Sequence, residues 1–255
     1  MRGLIFRVKR TGATRIGYFD GDIIRCVTGS LDTFWQMTDE TYEENEIDLL
    51  APCVPRQIIC VNFNYRDHAA EFGAKLDADP SIFSKSPHTV IGTGANIICP
   101  KEVHELSYGA ELAVIVKRRM KNVAVEDVPH YIAGYTCAND LTATDLRRQE
   151  SNIFRCKSFD TFCPMGPWVE TQLDPSDLGI RLWVNGVLKQ DARTSSMTYS
   201  PYRILSFISR SMTLDAGDVI LTGSPAGTGL LEPGDEVTVE IEGIGKLTNR
   251  VVMEK

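Results

Sequence analysis

Two acidic residues stand at points where apolar stretches would deliver them to one place. Tyr108-Gly109-Ala110-Glu111-Leu112-Ala113-Val114-Ile115-Val116 reads as a buried strand carrying Glu111. Tyr131-Ile132-Ala133-Gly134-Tyr135-Thr136-Cys137-Ala138 reads as a second strand, running out into Asn139-Asp140. If the two are neighbours in one sheet, Glu111 and Asp140 converge at an edge of it. Carboxylates brought together repel each other unless a cation or a proton is shared. Mg²⁺ suits that position, because it takes one or two carboxylates and completes its octahedron with water and substrate oxygens. A second pair lies upstream. Arg66-Asp67-His68-Ala69-Ala70-Glu71-Phe72-Gly73 suits a short helix stopped by Gly73, with His68 and Glu71, three apart, on one face. A neighbouring carboxylate fixes an imidazole's orientation and raises its basicity near neutral pH, as a general base requires.

The elements that must hold these groups are mostly short strands. Residues 1–53 read as a small N-terminal β unit, in which Asp20-Gly21 between apolar runs marks a hairpin. The acidic stretch from Thr38 to Glu46 reads as a solvated link, and Pro52 and Pro55 punctuate the entry to a main domain over 54–255. There Gln57-Ile58-Ile59-Cys60-Val61 is a buried strand, Val123 to Ile132 holds a helical stretch, and Asn185-Gly186 turns a hairpin. Tyr202 to Ser211 is a helix with Ile204, Leu205 and Ile208 at core spacing. A helical start after Asp140 offers Arg147 and Arg148, whose guanidinium groups can grip a substrate carboxylate bidentately. The Gly223-to-Gly229 loop lacks the Gly-Lys-Ser/Thr ending of a phosphate cradle and leads to a strand, Glu236–Ile241, so it is not a nucleotide loop. Many short strands with few helices predict a mixed α/β, β-rich fold built on a rolled sheet.

Composition narrows the class. The 255 residues are 43% hydrophobic, enough for a substantial core and too dispersed for a membrane span. A net charge of −7 without a long basic run argues against nucleic acid as a partner. Seven cysteines without a Cys-x-x-Cys read as reduced thiols of a cytoplasmic protein, and no secretory signal is visible at the N-terminus.

The two strands with their acids, together with Asn64-Tyr65-Arg66-Asp67-His68-Ala69-Ala70-Glu71, Lys157-Ser158-Phe159-Asp160-Thr161-Phe162-Cys163-Pro164 and Gly217-Asp218-Val219-Ile220-Leu221-Thr222-Gly223-Ser224-Pro225, resemble the fumarylacetoacetate hydrolase family from about residue 58 to the end. The resemblance implies a β-roll, usually dimeric. It implies a Mg²⁺ or Mn²⁺ ion on Glu111 and Asp140, and a His68–Glu71 dyad on a lid. Lys157 is implied near the metal and the substrate oxygens, and Lys85 near the pocket. Substrate contacts are implied at Tyr65, Arg66, Gln190, Thr222 and Ser224. Family members act on 2-oxo or 2-enol acids by isomerisation, decarboxylation or carbon–carbon hydrolysis. In one respect this sequence departs: the family's Glu-x-Glu has Gly109 in place of the first Glu, on the same strand face as Glu111. Metal binding is then expected to be weak and substrate-dependent, with Glu105 as a conceivable replacement ligand. The thinned carboxylate set resembles the 4-hydroxyphenylacetate-pathway isomerase/decarboxylase subunits, which implies 2-hydroxyhepta-2,4-diene-1,7-dioate isomerase or 5-oxopent-3-ene-1,2,5-tricarboxylate decarboxylase chemistry. An acylpyruvate or fumarylpyruvate hydrolase is the alternative, and a catalytically silent subunit is the alternative of another kind.

Overall fold

Ala110–Val116 is apolar except for Glu111 and buried along its whole length, the pattern of a central strand covered on both faces. In the computed structural model of the chain, which describes residues 1–29 and 35–255, it occupies that position. It pairs antiparallel with Ile132–Asn139 on one side and with Val219–Leu221 on the other. The sheet continues through Ile58–Val61 to Ile82–Lys85 in one direction. In the other it runs through Cys163–Glu170 to Arg2–Val8, Thr14–Asp20, Ile23–Gly29 and Trp35–Tyr42. Most pairings are antiparallel, while Val219–Leu221 runs parallel to Ile58–Val61, so the sheet is mixed.

A second sheet has the order Val187–Arg193, Gly179–Val184, Glu236–Ile241, Gly245–Met253 and Asn96–Cys99. Its inward side chains, among them Leu182, Val239 and Leu247, share one core with Leu112 and Val114 of the first sheet. The product is a β-rich roll with few helices, as the sequence predicts. The longest helix, Pro201–Ser211, closes one side of this core with Ile204, Leu205 and Ile208. Ser200 caps it by accepting from the Arg203 N–H, and Pro201 opens its first turn.

The N-terminal strands keep an apolar cluster of their own, around Leu4, Phe6, Ile24 and Ile47. They join the main sheet where Arg2 pairs with Glu170. One expectation is corrected here. The acidic stretch after Thr38 is an edge strand, not a link: Trp35–Tyr42 pairs with Ile23–Gly29, and Glu40 takes the Arg15 guanidinium at 2.9 Å. Charges suit an edge strand because they discourage pairing with another chain. Among the described residues no helix is long and apolar enough to cross a membrane.

Candidate active site

The antiparallel register of the two central strands brings the acids together. Ala110 pairs with Asn139 and Glu111 with Ala138, and the Asp140 N–H donates to the Gly109 carbonyl at 2.8 Å. Asp140 thus lies opposite position 109, and Glu111 is its diagonal neighbour on the same face. Both are buried, at 2% and 6% exposure, yet both line one cavity of about 570 Å³.

Their environments differ. Asp140 lies between two ammonium groups: Lys85 donates to Oδ1 at 2.6 Å, and Lys157 donates to Oδ2. Burial opposes its ionisation, but Lys157 and Lys85 outweigh that and hold the carboxyl below the usual range. Glu111 has, among the described residues, only the Gly223 N–H, which donates to Oε2 at 2.6 Å. Burial, reinforced by the field of Asp140, pushes its carboxyl well above the ordinary value. Gly223 must be glycine for this contact: its φ is +97°, and a Cβ would meet Asn64 Cβ at 2.7 Å.

His68 lines the same cavity. The helix Arg66–Glu71 buries His68, whose ring lies 5.4 Å from Phe63 and 5.1 Å from Phe72 between centroids. Nδ1 meets Glu71 Oε2 at 3.2 Å. The other oxygen of Glu71 accepts from the Gly227 N–H at 2.8 Å, tying the helix to the loop that carries Ser224. Gly227 has φ +97°, and a Cβ there would lie 2.2 Å from the Lys189 carbonyl. Burial lowers the His68 pKa, and Glu71 partly offsets it, so the ring is a neutral base at pH 7. Glu71→Gln is therefore expected to move the acid limb of kcat/KM to lower pH and to lower kcat about tenfold through lost orientation. A pH–rate profile checks both; an acid limb that rises would contradict the assignment.

Of the residues singled out from the sequence, His68, Glu111, Asp140, Arg147, Arg148, Lys157 and Ser224 line the cavity, with Glu71 behind His68. Arg66, Tyr65, Thr222 and Gln190 do not, nor do Lys85 and Glu105. Arg66 is exposed on the far side of its helix, because two residues from His68 is about half a turn. Tyr65 is fully buried, and its hydroxyl has no hydrogen-bond partner among the described residues. Thr222 is buried and donates to the Leu112 carbonyl at 2.8 Å. Gln190 is consumed by structure: Oε1 accepts from the Ala110 N–H at 2.9 Å, while Nε2 donates to Ser224 Oγ at 3.0 Å and the Pro225 carbonyl at 2.7 Å. It positions Ser224 and has no amide group left for a substrate.

Lys85 is wholly buried behind Asp140 and does not face the cavity. Glu105 turns to Arg148 at 2.6 Å and leaves position 109 without a replacement. Asn64 is the structural residue the sequence did not reveal. Its side chain bonds the Tyr199 N–H and carbonyl and the Thr222 carbonyl, which fixes the backbone just before the His68 helix.

Residues 57–252 match the family described as fumarylacetoacetate (FAA) hydrolase, C-terminal. The chain belongs to the fumarylacetoacetate hydrolase family. It is 38% identical over 226 residues to the oxaloacetate tautomerase YisK of Bacillus subtilis, covering 82% of this chain and 75% of that protein. Its structure resembles the 5-carboxymethyl-2-hydroxymuconate delta-isomerase of Mycobacterium smegmatis, with a TM-score of 0.93, 35% identity and full coverage of both chains. The 2-hydroxyhepta-2,4-diene-1,7-dioate isomerase of Mycobacterium marinum gives 0.92 at 35% identity, covering 100% of this chain and 99% of that one.

The two carboxylates can be weighed against the divalent ion the family suggests. Glu111 and Asp140 are hard oxygen donors lining one cavity, and the field of Asp140, which adds to burial in raising the Glu111 pKa, is a repulsion a shared cation relieves. They fit such an ion as a two-carboxylate site. Among the described residues no third His, Cys, Asp or Glu joins them. Lys157 also competes for an Asp140 oxygen.

Proposed function

We propose that this protein is a proton-transferring enzyme of 2-oxo and 2-enol carboxylic acids, an isomerase or tautomerase of the 2-hydroxyhepta-2,4-diene-1,7-dioate type. The observation that carries the reading is a neutral, carboxylate-oriented imidazole lining the same cavity as the Lys157–Asp140 pair. The similarity to isomerases and to a tautomerase supports the same chemistry, because enol–keto conversion and double-bond migration pass through one enolate.

In keto–enol conversion His68 takes a proton from the carbon beside the 2-oxo group while the 2-oxygen gains one from solvent. In double-bond migration it takes the 2-enol hydroxyl proton and delivers one to the far carbon of the conjugated system. Lys157 donates to the 2-oxygen as negative charge gathers there. Asp140 keeps that ammonium aimed, and Glu71 keeps the imidazole aimed. Phe63, Phe72 and Tyr108 exclude water from the enolate. A divalent ion held by Glu111 and Asp140 would, when bound, polarise the 2-oxo group and steady the enolate. Cys26, Cys60, Cys99, Cys137, Cys156 and Cys163 are buried thiols outside any disulfide among the described residues, which supports a reducing cytoplasmic setting.

A panel of 2-oxo diacids and acylpyruvates with Mg²⁺ and Mn²⁺, followed by loss of enol absorbance, tests the reading. Enol–keto conversion or double-bond migration is expected. Carbon–carbon cleavage products would instead favour the hydrolase, and no turnover of any member would favour a silent, ligand-binding subunit.

Metal dependence gives a separate prediction. Mg²⁺ alone should bind weakly by calorimetry, and oxalate, which mimics the 1-carboxylate and 2-oxygen, should tighten it. A Cβ at Gly109 would lie 3.0 Å from Ser224 Oγ and 3.1 Å from its Cβ. Gly109→Glu paired with Ser224→Gly should therefore accept the new carboxylate and raise metal affinity by about 10- to 100-fold. Tight Mg²⁺ binding by the unaltered protein without oxalate would contradict this account.

A further inference from the structure

The cations around the cavity are not equivalent. Lys157 is held by Asp140, and Arg148 by Glu105 at 2.6 Å. Arg147 lines the same cavity and, among the described residues, makes no ion pair or hydrogen bond. It is half-buried, and no carboxylate among the described residues pairs with it. A half-buried, unpaired cation is unfavourable in the free protein and is relieved when an anion arrives.

Its placement follows from the fold. Asp140 ends one strand, and four residues later the helix Thr144–Gln149 begins. Thr144 and Arg147, three apart, share the face of that helix turned to the cavity, and both line it. Arg147 therefore reaches the cavity from an element separate from the Glu111 strand and the Gly223 loop. The volume of about 570 Å³ leaves room for a substrate that carries a second carboxylate beside the reacting 2-oxo acid unit.

Together these observations point beyond the reacting end of the substrate. We propose that Arg147 anchors the second carboxylate of a 2-oxo diacid and so selects diacids over 2-oxo monoacids. The inference rests on the reading of the cavity as a 2-oxo acid site. Arginine suits the task better than lysine because its planar fork makes two parallel hydrogen bonds to one carboxylate.

Oxaloacetate and 2-oxobutanoate are a matched four-carbon pair that differ by a carboxylate in place of a methyl group. With Mg²⁺ present, the ratio of kcat/KM for diacid over monoacid is expected to fall about 10- to 100-fold in Arg147→Gln, mainly through KM, with Arg147→Lys in between. An unchanged ratio, or equal losses on both acids, would overturn the assignment. Calorimetric binding of the same two acids separates this inference from the functional reading. If the unaltered protein turns over neither acid but binds oxaloacetate more tightly, and Arg147→Gln abolishes that preference, the diacid anchor stands while the proposed reaction falls. Equal binding of the two acids, or binding of neither, overturns the anchor.

Discussion

His68→Gln is expected to lower kcat on a 2-oxo diacid by about 10²- to 10⁴-fold, with KM changed by about threefold at most. Glutamine keeps much of the volume between Phe63 and Phe72, whose ring centroids lie 5.4 and 5.1 Å from the imidazole, so the cavity wall should persist. What is lost is the neutral nitrogen base that shares the cavity with the Lys157–Asp140 pair. A thermal melt matching that of the unaltered protein would confirm that the loss is chemical. A kcat reduced less than about tenfold would move the proton-transfer role to another group.

Asp140→Leu is expected to cost about 3–5 kcal/mol of folding stability, read from urea unfolding. Lys85 is wholly buried, and its ammonium has only Asp140 Oδ1 at 2.6 Å and the Leu141 carbonyl at 3.0 Å. Burial alone would lower its pKa, and Asp140 raises it above the ordinary value, so the charge persists only because the carboxylate is there. Removing Asp140 strands a buried cation. Lys85→Met combined with Asp140→Leu should recover most of the loss, since neither charge is then left alone. A double variant no more stable than Asp140→Leu would show that the ion pair is not what the core depends on.

These two residues also mark how far the sequence could be read. Glu111 and Asp140 were legible because two apolar runs each carried one acid near an end, and strand pairing then fixes which positions meet. The His68–Glu71 pair was legible from helical spacing alone. Helical spacing also bears on Arg66, because a residue two positions from His68 faces away from it; family resemblance had made it a substrate contact. Gln190 and Thr222 were misplaced for a different reason. Their partners, the Ala110 N–H and the Leu112 carbonyl, lie about 80 and 110 positions away in sequence, and no local pattern reports which side chains such contacts consume. Lys85 was hidden in the same way, since its burial depends on Ile82–Lys85 packing behind a carboxylate that comes 55 positions later. The acidic strand Trp35–Tyr42 was read as a link because an edge strand need not show the alternation of a half-buried one.

Hydrogen exchange at the carbon beside the 2-oxo group tests the central claim most directly. The protein is incubated with oxaloacetate and Mg²⁺ in D₂O, and the C3 protons are followed by NMR above the uncatalysed background. Enzyme-dependent deuterium uptake that disappears in His68→Gln is the expected result. Uptake that survives intact in His68→Gln, or no enzyme-dependent uptake although the acid binds, would contradict it.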